Sequence, residues 1–77
     1  MKILLYTSNG CGGCESAKQY LAENQITDVE IANVSENPVA RKQLMSMGIM
    51  SVPVLVVAGS EPIVGFDVER YSEILLK

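Results

Sequence analysis

Asn9-Gly10-Cys11-Gly12-Gly13-Cys14 holds both cysteines of the 77-residue chain, three positions apart. An apolar run, Ile3-Leu4-Leu5-Tyr6, closes in Thr7-Ser8-Asn9-Gly10 just before the pair, and a helical pattern opens just after it. A short, unalternating apolar run bounded by turn residues suits a central strand buried on both faces. From Cys14 to Glu23 the residues Cys14, Ala17 and Leu21 fall on one helical face, Lys18 and Glu23 are left to water, and Asn24 is a stop. Two sulfurs at this spacing on the first turn of a helix can close into a disulfide and open again.

The remaining chain supplies partners for that strand and helix. Val29-Glu30-Ile31-Ala32-Asn33-Val34 alternates weakly and reads as a second strand. Asn37 is placed to cap a second helix with Pro38 at its first position, where a missing N–H is no loss. That helix is expected to run to about Met47 with Ala40, Leu44 and Met47 inward, and Gly48 takes the left-handed stop. Val52-Pro53-Val54-Leu55-Val56-Val57 is β-branched and apolar, and Pro53 marks a strand end or edge. Gly59-Ser60-Glu61-Pro62 then turns the chain into Ile63-Val64, giving an antiparallel hairpin. Asp67 caps a last helix with Val68, Tyr71, Ile74 and Leu75 on its buried face and Lys77 at its negative end. The order is β-α-β-α-β-β-α, and the first β-α-β unit is expected to be a right-handed parallel crossover. The implied fold class is α/β, a small mixed sheet with helices on both faces, in one domain covering residues 1–77.

Composition narrows the function. A net charge of −3 without histidine offers no footprint for nucleic acid or an anionic membrane. No segment approaches the roughly 20 apolar residues of a membrane span, and the start lacks a signal peptide's length and cleavage site. These features point to the cytoplasm, where a close cysteine pair is redox-active or metal-binding more often than structural.

A thiol reacts as its thiolate. Cys11 stands where free N–H groups and the positive end of the helix dipole favour negative charge, so the helix start lowers its pKa modestly. No cation adjoins the pair in sequence, and Glu15 works slightly against ionisation. Cys14, one turn in, is expected to be less exposed. Cys11 is therefore the nucleophile that forms a mixed disulfide with a target, and Cys14 resolves it. Gly12 and Gly13 each weaken the helix start by up to about 1 kcal/mol relative to alanine, and leave the approach to the sulfurs free of side chains.

Duller readings exist. A structural disulfide would close a loop too small to gain much entropy. Zinc needs four ligands where the pair supplies two, although a dimer could share four cysteines around zinc or an iron–sulfur cluster. Met45, Met47 and Met50 suggest a soft-metal carrier, but methionines so spaced are more often flexible core filler.

Tyr6-Thr7-Ser8-Asn9-Gly10-Cys11-Gly12-Gly13-Cys14, Ser51-Val52-Pro53 and Gly65-Phe66-Asp67 together resemble the thioredoxin superfamily, in particular its small glutaredoxin-like members. Gly48-Ile49-Met50-Ser51-Val52-Pro53-Val54 is most similar to the NrdH-redoxin branch, whose members take electrons from thioredoxin reductase. The resemblance implies a thioredoxin-like, three-layer α/β/α fold with a four-stranded mixed sheet. It implies a cis Val52–Pro53 bond facing the cysteines, with the Val52 main chain open to pair with a substrate segment; the plain alternative is a trans proline at a strand edge. Gly65, Phe66 and Asp67 would flank this substrate platform, Phe66 as an exposed aromatic, though Phe66 can equally cover the last helix and Asp67 cap it. Glutathione-dependent members usually carry a lysine where this chain has Ser8, and a Gly-Gly pair where it has Val64-Gly65. The resemblance thus implies a monomeric protein-disulfide reductase without bound cofactor or metal. Its electrons would come from thioredoxin reductase and NADPH, with glutathione as the alternative donor. A non-catalytic metal or cluster module is the alternative from another class.

Overall fold

The strand that precedes the cysteines is the spine of the fold. The computed structural model describes residues 2–76; the expected role of Lys77 lies outside them. The chain runs β1 (Ile3–Thr7), α1 (Gly12–Glu23), β2 (Val29–Asn33), α2 (Pro38–Ser46), β3 (Val54–Val57), β4 (Ile63–Val64) and α3 (Val68–Leu75). The sheet order is β2-β1-β3-β4. β2 lies parallel to β1, with Ile3 opposite Val29 and Leu5 opposite Ile31. β3 lies antiparallel to β1, with Leu5 opposite Leu55, and β4 antiparallel to β3.

Successive side chains of a strand point to opposite faces, and β1 feeds two cores in this way. Ile3 and Leu5 join Ala17 and Leu21 of α1, Tyr71 of α3, and Leu55 and Val57 of β3. Tyr6 joins Ala40 and Leu44 of α2 and Val54 of β3. Hence α1 and α3 cover one face and α2 the other. This is the thioredoxin-like arrangement.

The helix ends follow from local chemistry. The Asn37 side chain accepts from the N–H groups of Val39 and Ala40 at 3.1 and 3.2 Å, and Pro38 begins α2. Asp67 accepts from Glu69 and Arg70 at 3.1 and 3.3 Å. Both α1 and α2 end in Schellman motifs. In α2 the N–H of Gly48 bonds to Met45 O and that of Ile49 to Leu44 O, with Gly48 at φ +75°. In α1 the N–H of Gln25 bonds to Ala22 O and that of Ile26 to Leu21 O, and here a glutamine takes the left-handed position at φ 60°.

Several expectations need correcting. α1 begins at Gly12, two residues before the apolar stripe, and β2 stops at Asn33. β3 starts at Val54 because Pro53 has no N–H for the ladder; of the two places expected for the proline, strand end or edge, it takes the end, before an interior strand. Met47 is 41% exposed because α2 ends at Ser46 and Met47 caps it, leaving the Ala40–Leu44 stripe. Met45 and Met50 are exposed too, so the methionines are not core filler. Val68 is 52% exposed; Phe66 packs on Tyr71 in its stead, ring centroids 5.2 Å apart.

Candidate active site

β1 delivers the chain to the site through a pinned loop. The N–H of Asn9 donates to Ser35 Oγ at 3.0 Å, Asn33 Nδ2 donates to Asn9 Oδ1 at 2.9 Å, and the N–H of Ser35 donates to Asn33 Oδ1 at 2.8 Å. These short polar side chains tie the approach to the cysteines to the end of β2. Their signal in the sequence was only that asparagine and serine favour turns, so the sequence reading gave them no part in the site. Gly10 then turns at φ +65°, and Cys11 becomes the N-cap of α1 with extended backbone, φ −109° and ψ 108°.

At that cap the two cysteines differ. They are joined as a disulfide. Cys11 Sγ accepts the backbone N–H of Cys14 at 3.1 Å and is half-buried. Cys14 is 1% exposed, beneath it on the sheet-facing side of α1. A helix N-terminus leaves backbone donors unsatisfied and carries partial positive charge. In the reduced protein the same N–H favours negative charge on Cys11. The outer sulfur can meet another molecule; the inner one cannot.

The Val52–Pro53 bond is cis, and it borders the pair from a separate segment. Cys11 Sγ lies 3.9 Å from the Val52 carbonyl oxygen. Pro53 is buried against the first turn of α1: a Cβ built on Gly13 would come within 3.2 Å of Pro53 Cδ, whereas one on Gly12 would meet nothing within 4 Å. Gly12 thus leaves the outer approach open, and Gly13 admits the proline.

The last expected segment divides. The N–H of Gly65, at φ +87°, donates to Pro53 O at 2.8 Å, bringing it to the site's rim. Phe66 is half-buried, not exposed. It meets Tyr20 and Tyr71 edge-on, the three centroids 5.2–5.9 Å apart, and each such pair is worth about 0.5–1.5 kcal/mol beyond its burial. One oxygen of the Asp67 carboxylate, Oδ1, accepts both capping bonds of α3. Both residues engage α3 and not the sulfurs. Burial pushes the Tyr71 phenol up to about 12, and its hydroxyl donates to Gly65 O at 3.4 Å.

Among the described residues no three His, Cys, Asp or Glu side chains gather as a group that could hold a metal ion. Among the described residues no helix is long and apolar enough to cross a membrane. A concavity of about 510 Å3 lined by Lys2, Ile3, Thr27, Asp28, Val29 and Glu30 lies at the other end of β1 and holds no sulfur. Beside the cysteines there is instead an apolar groove of about 310 Å3 that includes Val52, Met45 and Met50.

A profile of the glutaredoxin family matches residues 3–61. The chain belongs to the glutaredoxin family. Within and around that family, it is 38% identical over 66 residues to the glutaredoxin-like protein NrdH of Escherichia coli strain K12, covering 86% of this chain and 79% of that protein. It is 40% identical over 70 residues to a thioredoxin of Methanocaldococcus jannaschii, covering 84% of this chain and 79% of that one. The structure of Escherichia coli NrdH-redoxin superposes with a TM-score of 0.82 at 32% identity, covering 96% and 95% of the two chains. The family reading, the thioredoxin-like fold and the redox character of the cysteine pair therefore stand.

Proposed function

We propose that this protein reduces disulfides of protein partners through Cys11 and Cys14 and is itself re-reduced by a flavoenzyme of the thioredoxin-reductase type. The observation that carries the reading is the inequality of the two sulfurs: Cys11 outward at the N-cap, taking the Cys14 N–H, with Cys14 buried behind it.

The Cys11 thiolate attacks one sulfur of the partner disulfide, and the bond's electron pair departs on the other sulfur, which takes up a proton. Cys14 then loses its proton and attacks Cys11, releasing the partner's second thiol. Two electrons and two protons have passed to the partner, and the Cys11–Cys14 disulfide remains. Gly12, Gly13, Val52, Pro53 and Gly65 frame the approach. The Val52 main chain offers a short antiparallel pairing to the partner's segment, and Phe66 and Asp67 hold the rim by fixing α3.

Thioredoxin reductase is favoured over glutathione by two features: Ser8 stands where a tripeptide-anchoring cation would be expected, and Val64-Gly65 replaces a Gly-Gly pair. The similar Escherichia coli NrdH-redoxin is described as having a thioredoxin-like activity profile. The test is turnover of a protein disulfide with thioredoxin reductase and NADPH, against glutathione, glutathione reductase and NADPH. The first system should sustain turnover, and Cys11→Ser should abolish it. Turnover in the second system alone would reassign the donor.

A further inference from the structure

We propose that Asn33 is a positioning residue for Cys11: by holding the turn at Asn9 and Gly10 it keeps the reduced loop in the conformation that lets Cys11 cap α1, and so sets the acidity of the outer thiol and the reduction potential of the pair. This deepens the reductase reading and rests on it.

Asn33 ends β2 directly opposite Thr7 in the parallel ladder, so the strand that leads into the cysteines and the strand that leads into α2 finish side by side. Both ends of the Asn33 side-chain amide are engaged. Oδ1 accepts the N–H of Ser35 at 2.8 Å, and Nδ2 donates to Asn9 Oδ1 at 2.9 Å. Ser35 Oγ closes the set by accepting the N–H of Asn9 at 3.0 Å. Asn9 is thus held by its side chain and its main chain together, which fixes its orientation as well as its place. The carbonyl of Asn33 accepts the N–H groups of Glu36 and Asn37 at 3.2 and 2.9 Å. The anchor is therefore built into the turn before α2, and those main-chain bonds do not depend on its side chain.

The two redox states need this anchor unequally. In the oxidised protein the Cys11–Cys14 bond itself ties the loop to α1. In the dithiol that tie is gone. Cys11 Sγ then keeps the N–H of Cys14, 3.1 Å away, only while the preceding turn holds Cys11 in its extended cap conformation, φ −109° and ψ 108°. Gly10, at φ +65°, adds freedom at that turn, because glycine populates many conformations. The Cys14 N–H and the helix start favour the thiolate, so a wandering loop destabilises the reduced form and leaves the oxidised form nearly untouched. All three side-chain bonds lie open to water, and such bonds contribute little net stability to the fold. Their consequence is in the chemistry of the sulfurs.

The experiment compares the wild-type chain with Asn33→Ala, Asn9→Ala and the double variant. One readout is the pH dependence of alkylation of the reduced protein by iodoacetamide, which reaches Cys11 while Cys14 is buried. The other is the thiol–disulfide equilibrium against a glutathione redox buffer. Asn33→Ala should lower the acid dissociation constant of Cys11 about threefold. It should also move the equilibrium about threefold toward the disulfide, a potential about 15 mV more negative. Asn9→Ala should act in the same direction, and the double variant should go no further than Asn33→Ala, because both substitutions break the same link. Unchanged acidity and potential in Asn33→Ala, a shift of opposite sign, or additive effects in the double variant overturn the proposal. So does an equal fall in the urea midpoints of the oxidised and reduced forms at unchanged potential, which would make Asn33 a structural residue only. A wild-type protein whose cysteines exchange neither with the glutathione buffer nor with a protein disulfide would sink the reductase reading itself.

Discussion

At the residue scale, neighbouring glycines of one motif have different work. Gly12 has open space where a side chain would go, and Gly13 has Pro53. Gly12→Ala should therefore gain helix propensity without a clash and raise stability by up to about 1 kcal/mol. Gly13→Ala must push Pro53 back by a few tenths of an ångström, so it should gain less than Gly12→Ala or lose stability outright; denaturant midpoints of the two variants settle the ranking. Thr7 offers a second test. Its hydroxyl is the buried side-chain oxygen without a hydrogen-bond partner among the described residues. Thr7→Val keeps the shape and removes the desolvated group, and should raise stability by about 1 kcal/mol, read as a higher urea midpoint at unchanged slope. The unequal exposure of Cys11 and Cys14 was legible in the sequence because the spacing sets one sulfur at the mouth of the helix and the other one turn in, on its buried face. That the Val52–Pro53 segment faces the cysteines came from the resemblance alone, and its contact with Gly13 from neither resemblance nor residue pattern, since no local pattern encodes which loop lies against a helix.

At the element scale, the helix boundaries read from caps were close to those observed, because Asn37, Asp67 and Gly48 act within a few residues of themselves. Errors arose where an element's end decided which way a side chain points. Met47 has the spacing of Ala40 and Leu44 but lies past the last helical residue, and Val68 yields its place to Phe66. α1 does stop at Asn24, its C-cap, and the residue that then turns is Gln25, held at φ 60°. The left-handed region costs an L-residue roughly 1–2 kcal/mol, part of which glycine recovers after its own entropy loss. Gln25→Gly should therefore stabilise the protein by up to about 1 kcal/mol, with an increase in thermal midpoint as the readout. The apolar groove at the end of α2 was invisible to pattern reading, because exposed methionines at that spacing look like core.

At the scale of the whole molecule, two cores share one sheet, and Tyr71 sits where α1, α3 and the sheet converge. Its folded pKa, raised to about 12 by burial, sets a pH limit. Below about pH 10 the folded and unfolded chains both hold the phenol's proton. Between about 10 and 12 only the folded chain does, so unfolding releases a proton and stability falls as pH rises, by about 1.4 kcal/mol per pH unit. Tyr71→Phe should lose that slope: urea midpoints from pH 9 to 12 should fall more steeply for the wild type than for the variant. The sheet order and the division of helices between two faces hold the cysteine loop and the Val52–Pro53 segment together, and this depends on the packing of every element. The central claim is that Cys11 makes the bond to the partner and Cys14 breaks it. Its most direct test is to treat reduced Cys14→Ser protein with a protein disulfide and locate the linkage by mass spectrometry of the digested adduct. A stable adduct linked through Cys11 is the predicted result, whereas release of reduced partner with no adduct, at the wild-type rate, would contradict it.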